Sequence, residues 1–225
     1  MSLNFYKDGV EIRPFLDTSS FTFVKNKLQS YIVSSLRATS DCKIDTYHLW
    51  GHSYDQFRNS TLSANTRHFP TEFWSDICLI ESLSSYIYDF LPSYKLTLWD
   101  EGLGTSAFRL VRPGFEDGYP PSRKSWGPGG NLISVTIPLI GFTKFESQAF
   151  LLGSHLLDYP SYVPTTQKFC SDEKRLLNPS SYNFSYFASN PGDIIIYHWN
   201  TVHSEQIIGS NTTRLALEVR FVCHD

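Results

Sequence analysis

His203 and Arg214 stand eleven positions apart near the end of the 225-residue chain. A neutral imidazole nitrogen binds transition metals. A guanidinium, with its rigid fork of donors, pairs with a carboxylate through two parallel hydrogen bonds. Together such residues can hold a metal and a carboxylate side by side. The elements around them suit that task. Pro191-Gly192-Asp193 is a turn signal, Ile194-Ile195-Ile196-Tyr197 is β-branched and aromatic, and a polar loop carries His203. In the next strand, Arg214, Ala216, Glu218 and Arg220 share one face, while Leu215, Leu217, Val219 and Phe221 share the other. Arg214 then lines an interior or sits at an edge, and Glu218 and Arg220 can pair with each other without any ligand.

These residues resemble the C-terminal end of the iron(II)/2-oxoglutarate oxygenases, in particular the phytanoyl-CoA dioxygenase-like branch. A second stretch agrees. Ile133-Ser134-Val135-Thr136-Ile137-Pro138-Leu139, followed by Phe150-Leu151-Leu152-Gly153-Ser154-His155, is similar to the family's strand ending in Pro-Leu and its later strand ending in Gly-Ser-His. The resemblance covers roughly residues 95–223. It implies a double-stranded β-helix (jelly roll), Fe(II) and 2-oxoglutarate as cofactors, His203 as the distal iron ligand and Arg214 as the 2-oxoglutarate anchor. It also implies a small-molecule substrate, here a small or sugar-like metabolite.

That chemistry needs two histidines and one carboxylate on one face of the metal, with open positions opposite. In the family the first two ligands form His-x-Asp or His-x-Glu, because residues i and i+2 of a strand share a face. Their place is just before the strand at 132–139, yet Arg112–Gly127 contains no histidine. Two placements remain. Phe115-Glu116-Asp117 keeps a carboxylate and makes Asp117 the metal ligand beside His203. Arg123-Lys124-Ser125 loses both ligands and puts cations where Fe²⁺ would sit. Between its glycines, Asp117 also reads as a plain turn aspartate. The departure sets an oxygenase against a second reading, a catalytically inactive pseudo-enzyme that binds a ligand or partner on the same scaffold.

No other histidine replaces the missing one. His48 and His52 are four apart in a polar stretch interrupted by Gly51, and His155 and His198 have no ligand role in the family. The run Ser122-Arg123-Lys124-Ser125-Trp126 reads as a solvated loop or as an anion clamp at a pocket mouth.

The rest of the chain must position these groups. Phe21, Val24, Leu28, Tyr31, Ile32 and Leu36 recur at helical spacing, with Ser19 or Ser20 available as a cap. A second helix is expected from Thr71 to Leu91, stopped by Pro92. Short strands follow at Lys95–Trp99, Ser106–Val111, Leu132–Leu139, Ser147–Leu152, Asp193–Trp199 and Arg214–Val222. Helices first and many strands afterwards, without βαβ alternation, predict a mainly β jelly roll with N-terminal helices packed on one sheet. The expectation is a single domain over 1–225, with a helical part at 1–92, a jelly-roll core at 93–225 and a lid-like insertion near 156–190.

A net charge of −3 with no basic block gives no footprint for nucleic acid. No apolar window approaches a membrane span, and the N-terminus lacks a signal-peptide core. Cys42, Cys78, Cys170 and Cys223 lie far apart with no Cys-x-x-Cys spacing, which reads as reduced thiols in a cytoplasmic protein. The N-x-S/T triplets at Asn59, Asn183 and Asn211 then carry no meaning.

Overall fold

A computed structural model of the chain describes residues 3–35, 43–49, 79–92, 94–98, 106–113, 121–123, 131–144, 147–162, 174–204 and 211–224. Among the described residues the α-helices are α1 (Phe5–Asp8), α2 (Thr18–Ser35) and α3 (Leu79–Phe90). The strands are β1 (Val10–Pro14), β2 (Lys95–Leu98), β3 (Ser106–Val111), β4 (Ser122–Arg123), β5 (Asn131–Ile140), β6 (Ala149–Phe150), β7 (Ser161–Tyr162), β8 (Lys174–Leu176), β9 (Ser185–Tyr186), β10 (Asp193–His198), β11 (His203–Ser204) and β12 (Arg214–His224).

The strands form two antiparallel sheets of six. The large one runs β1-β10-β5-β12-β2, with β3 also pairing β12, and the small one runs β7-β8-β4-β11-β6-β9. The result is a mixed α/β fold related to the jelly roll. The helix layer over the large sheet makes it mixed α/β where mainly β was expected, and among the described residues the two sheets are open and form no closed barrel. The physical reason is the shortness of the small sheet's strands, two or three residues each, against β5 and β12 with ten and eleven.

Alternation in the long strands builds two interiors. Ile133, Val135, Ile137 and Leu139 of β5, Ile194 and Ile196 of β10, and Leu215, Leu217, Val219 and Phe221 of β12 pack against Val24, Leu28 and Ile32 of α2 and Leu83 and Ile87 of α3. The opposite face supplies Val10, Ile195, Tyr197 and Ala216, which meet Phe150 of the small sheet and Phe142. The helices thus cover one face of the large sheet and the small sheet covers the other. A third cluster, Leu151, Leu176 and Val202, lies on the far face of the small sheet.

Helix α2 ends within the expected stripe, but its cap is Asp17. Asp17 Oδ1 accepts from the Ser20 amide and the Ser19 hydroxyl, each at 2.7 Å. Those hydrogen bonds hold the exposed carboxyl down to a pKa of about 2. The expected start of the second helix, 71–78, and Leu36 lie outside the described residues. Strand β1 was not expected at all, although Val10 and Ile12 alternate with Glu11 and Arg13; it pairs with β10 from Val10↔Tyr197 to Pro14↔Asp193. The stretch 156–190, where it is described, contributes β7, β8 and β9 to the two ends of the small sheet.

Candidate functional site

Arg214 opens β12 and is 1% exposed, among the largest fully buried side chains. It belongs to the face that also carries Ala216, Glu218 and Arg220, opposite the helices. Its guanidinium carbon lies 5.5 Å from the centre of the Phe142 ring, within cation–π range. A local irregularity sets this up. The β5–β12 register slips between Leu215↔Ile140 and Ala216↔Pro138, so Leu139 is extra. Leu139 and Ile140 therefore both turn toward the helix layer, and Gly141 at φ 69° swings Phe142 to the other face. A side chain at Gly141 would come within 3.1 Å of the Arg214 backbone. Beside it opens a groove of about 520 Å³ whose walls include Pro138, Gly141, Phe142, Ser189 and Thr212.

His203 opens β11 and is 2% exposed. Its Nδ1 lies 2.9 Å from the Thr201 carbonyl. A carbonyl only accepts, so Nδ1 donates to it, the hydrogen bond by which a histidine that ligates through Nε2 is commonly held. The ring packs on Tyr197 at 4.9 Å between centroids and on Phe150 at 6.1 Å. Both aromatics belong to the cluster containing Phe142 and Ala216, so His203 and Arg214 border the same interior between the sheets.

The register of the small sheet decides what stands next to His203. It faces Phe150 of β6 on one side and Ser122 of β4 on the other. Residues directly opposite in an antiparallel pair project to the same side with Cα atoms roughly 5 Å apart. Ser122, 2% exposed, is therefore the residue of β4 alongside the imidazole. Arg123 points to the far face: its Nη2 donates to the Ser154 carbonyl at 2.7 Å and to that of Leu157, and Nη1 approaches Asp158 at 3.5 Å. The loop reading does not hold for Arg123, which lies in β4 and ties the Gly-Ser-His turn to that strand. Asp117 lies outside the described residues, as do Lys124, Ser125 and Trp126.

Further along the same face of the large sheet, Glu218 accepts from Arg109 Nε and from Arg220 Nη2 at 2.6 Å, all three largely buried. Thr136 Oγ1 and Gln148 Oε1 are buried polar atoms without a hydrogen-bond partner. Thr136 alternates with Val135 and Ile137, and Gln148 stands two residues before the inward Phe150, so both turn toward this interior. Sequence reasoning named Glu218 and Arg220 as a pair but missed Arg109, Ser122, Tyr197 and Phe150, which no local pattern marks.

The remaining histidines sit elsewhere. His48, in a 3-10 turn over Ile44–Leu49, places Nδ1 3.0 Å from Thr213 Oγ1. Burial and then the Arg112 charge lower its pKa. His155 and His198 approach each other at 5.4 Å between ring centroids. Desolvation, and then His155, lower His198 to about 4. His52 lies outside the described residues.

The donor set can be weighed for a metal. His203 fits as one imidazole ligand. Among the described residues no three His, Cys, Asp or Glu side chains converge to hold an ion. Described residues thus supply one ligand of the three that an Fe(II) site of this kind requires, and they do not fit iron. A buried arginine on the interior face does fit a carboxylate.

The fold is similar to that of several solved structures, and the likeness does not single out the phytanoyl-CoA dioxygenase-like branch. AviO1 from Streptomyces viridochromogenes superposes with a TM-score of 0.62 at 15% identity, covering 97% of this chain and 91% of its own. EvdO2 from Micromonospora carbonacea var. aurantiaca, solved with 2-oxoglutarate, gives 0.61 at 14% identity over 98% of this chain and 88% of its own. SnoN, a non-haem α-ketoglutarate-dependent epimerase from nogalamycin biosynthesis, gives 0.55 at 15% identity over 97% of this chain and 79% of its own. No family model and no curated protein matches the sequence. Among the described residues no helix is long and apolar enough to cross a membrane.

Proposed function

We propose that this chain is a small-molecule-binding protein of the oxygenase fold, whose interior takes a 2-oxoglutarate-like carboxylic acid through Arg214. The carrying observation is a fully buried arginine on the inner face of the large sheet, in the interior that His203 also borders. Thr136 Oγ1 and Gln148 Oε1 offer further hydrogen bonds to a polar ligand. In this reading the sheets are the walls of a double-stranded β-helix, residues 156–190 close one mouth, and the protein works in the cytoplasm without nucleic acid or membrane.

Two versions of the reading differ in the metal. In the first, His203 and Asp117 hold Fe(II) and the protein hydroxylates a small or sugar-like metabolite; the hydrogen bond from His203 Nδ1 to the Thr201 carbonyl supports it. In the second it is a pseudo-enzyme that binds its ligand without productive iron; Ser122 beside His203 favours this one.

Titration of the metal-free protein with 2-oxoglutarate and a panel of related mono- and dicarboxylates, followed by calorimetry, tests the common part. Binding is expected in the wild type. It should weaken by about tenfold or more in Arg214→Lys, which keeps the charge but loses the two-pronged geometry. No binding of any acid in the panel, or equal binding by a folded Arg214→Lys variant, would end the assignment.

A further inference from the structure

We propose that the 3-10 turn Ile44–Leu49 positions Arg214 for its ligand, with His48 and Thr213 as the positioning residues. The proposal rests on the reading of Arg214 as the carboxylate anchor and deepens it. Arg214 is the first residue of β12, and the end of a strand frays more readily than its middle. On one side it pairs with Val111 of β3. On the β5 side the ladder starts only at Leu215↔Ile140 and is irregular at the next step. Gly141 lies close against the chain there. A Cβ on it would come 3.1 Å from Arg214 Cα and 3.1 Å from the Thr213 carbonyl oxygen. The remaining support comes from the other side, through Thr213, which is 0% exposed. Its N–H donates to the Asp45 carbonyl at 2.9 Å. Its Oγ1 accepts from the His48 N–H at 3.2 Å and lies 3.0 Å from His48 Nδ1. The turn is itself anchored, because Ile44 and Tyr47 are buried in the helix-side core. Alternation sends Thr213 to that side and Arg214 to the interior.

This support depends on the charge of His48. A neutral imidazole can accept the Thr213 hydroxyl proton at Nδ1, while Oγ1 keeps a lone pair for the His48 N–H. A protonated imidazole only donates. Oγ1 would then accept twice, and its own O–H would stand buried without a partner. The charges that face His48 among the described residues are Arg112, after β3, and Asp45 on the turn itself. Burial opposes protonation most strongly, Arg112 opposes it next, and Asp45 favours it. The ring is therefore neutral at neutral pH, and the support is complete there. It weakens at lower pH as His48 takes up a proton.

Two readouts test the proposal. One is calorimetry with 2-oxoglutarate on the metal-free protein. The other is the Arg214 Nε–H signal in NMR spectra of the unliganded protein, assigned by its loss in Arg214→Lys. Thr213→Val keeps the side-chain shape and removes Oγ1, Thr213→Ser keeps the hydroxyl, and His48→Asn keeps an uncharged acceptor near the place of Nδ1. Thr213→Val should weaken 2-oxoglutarate binding by about three- to thirtyfold, the range for residues that act on a ligand without touching it. It should also move the Arg214 signal, and Thr213→Ser should restore both. As pH falls from about 7 to 5, across the histidine range, affinity should drop more in wild type than in His48→Asn, which keeps only the loss from protonation of the ligand. A folded Thr213→Val protein with unchanged affinity and an unchanged Arg214 signal would overturn the proposal, even if it unfolds at lower denaturant. An equal loss in Thr213→Ser would overturn it too. Should Thr213→Val fail to fold, His48→Ala against His48→Asn decides in the same two directions. If wild type binds no 2-oxoglutarate, the anchor reading fails, and the response of the Arg214 signal to Thr213→Val decides the positioning alone.

Discussion

The two sheets face each other across one interior, yet they hold their positions by different means. The large sheet has strands of ten and eleven residues at its centre, and the β5–β12 ladder continues from Leu215 to Cys223. Its outer face is sealed by helices and its core residues are 0–4% exposed along β5, β10 and β12 apart from Cys223 at 7%. The small sheet has strands of two or three residues and is secured by single hydrogen bonds. Val202 N donates to Ser154 Oγ at 2.8 Å, Leu151 N to the Val202 carbonyl at 2.9 Å, and Arg123 reaches two carbonyls of the following turn. The large sheet is thus a cooperative scaffold that presents Arg214. The small sheet is a set of short local pairings around His203.

That difference can be broken first by matched truncations. Leu217→Ala in β12 and Leu176→Ala in β8 remove the same atoms from sites 0% and 4% exposed. Leu217 belongs to the extensive helix-facing core, whereas Leu176 packs in a cluster with Leu151 and Val202. Chemical denaturation should show a loss of about 4–5 kcal/mol for Leu217→Ala and about 2–3 kcal/mol for Leu176→Ala, the two ends of the range for such truncations. Equal losses would mean that the sheets unfold as one unit of uniform stiffness.

A second, smaller effect is expected from pH at the contact between the halves. His198 ends β10 of the large sheet and meets His155 of the turn after β6. Its pKa is depressed from 6.5 to about 4, mainly by desolvation. The unfolded chain therefore takes up this proton first as pH falls. The stabilisation is complete above pH 6.5 and is lost progressively toward pH 4, by up to about 3 kcal/mol at the conversion of 1.36 kcal/mol per pKa unit. In His198→Gln the slope of stability between those pH values should flatten. An unchanged slope would move the titration to other groups.

The smallest effect belongs to the helix layer. Asp17→Ala removes the acceptor for Ser20 N. Its carboxyl is held at about 2, so its contribution is present above pH 3.8 and fades as pH falls toward 2. At neutral pH, hydrogen exchange should quicken in the first turn of α2 and leave β4, β6 and β11 unchanged. Faster exchange in the small sheet as well would show that the two regions are coupled through the large one.

Much of the scaffold was legible in the sequence because its signals are local and periodic. Phe21, Val24, Leu28 and Ile32 marked α2, and the alternation of Arg214–Phe221 assigned both faces of β12 correctly. Resemblance around His203 and Arg214 led to a jelly-roll-related fold, the one shared with AviO1, EvdO2 and SnoN. The local pattern failed where strands are too short to carry a period: β4, β7, β8, β9 and β11 have two or three residues each. It also passed over β1, whose Glu11 and Arg13 pair with each other on a sheet edge and read as loop charges.

By itself the sequence determined the apolar stripe of α2, the long strands, which side chains share a face with Arg214 and the absence of histidine from Arg112–Gly127. Only the tertiary structure decided which residue stands beside His203. Hydrophobic periodicity is a property of one strand, and it fixes which side chains share a face. The pairing of His203 with Ser122, 81 positions earlier in the chain, is a property of two strands brought together by everything between them, and no spacing within either strand encodes it.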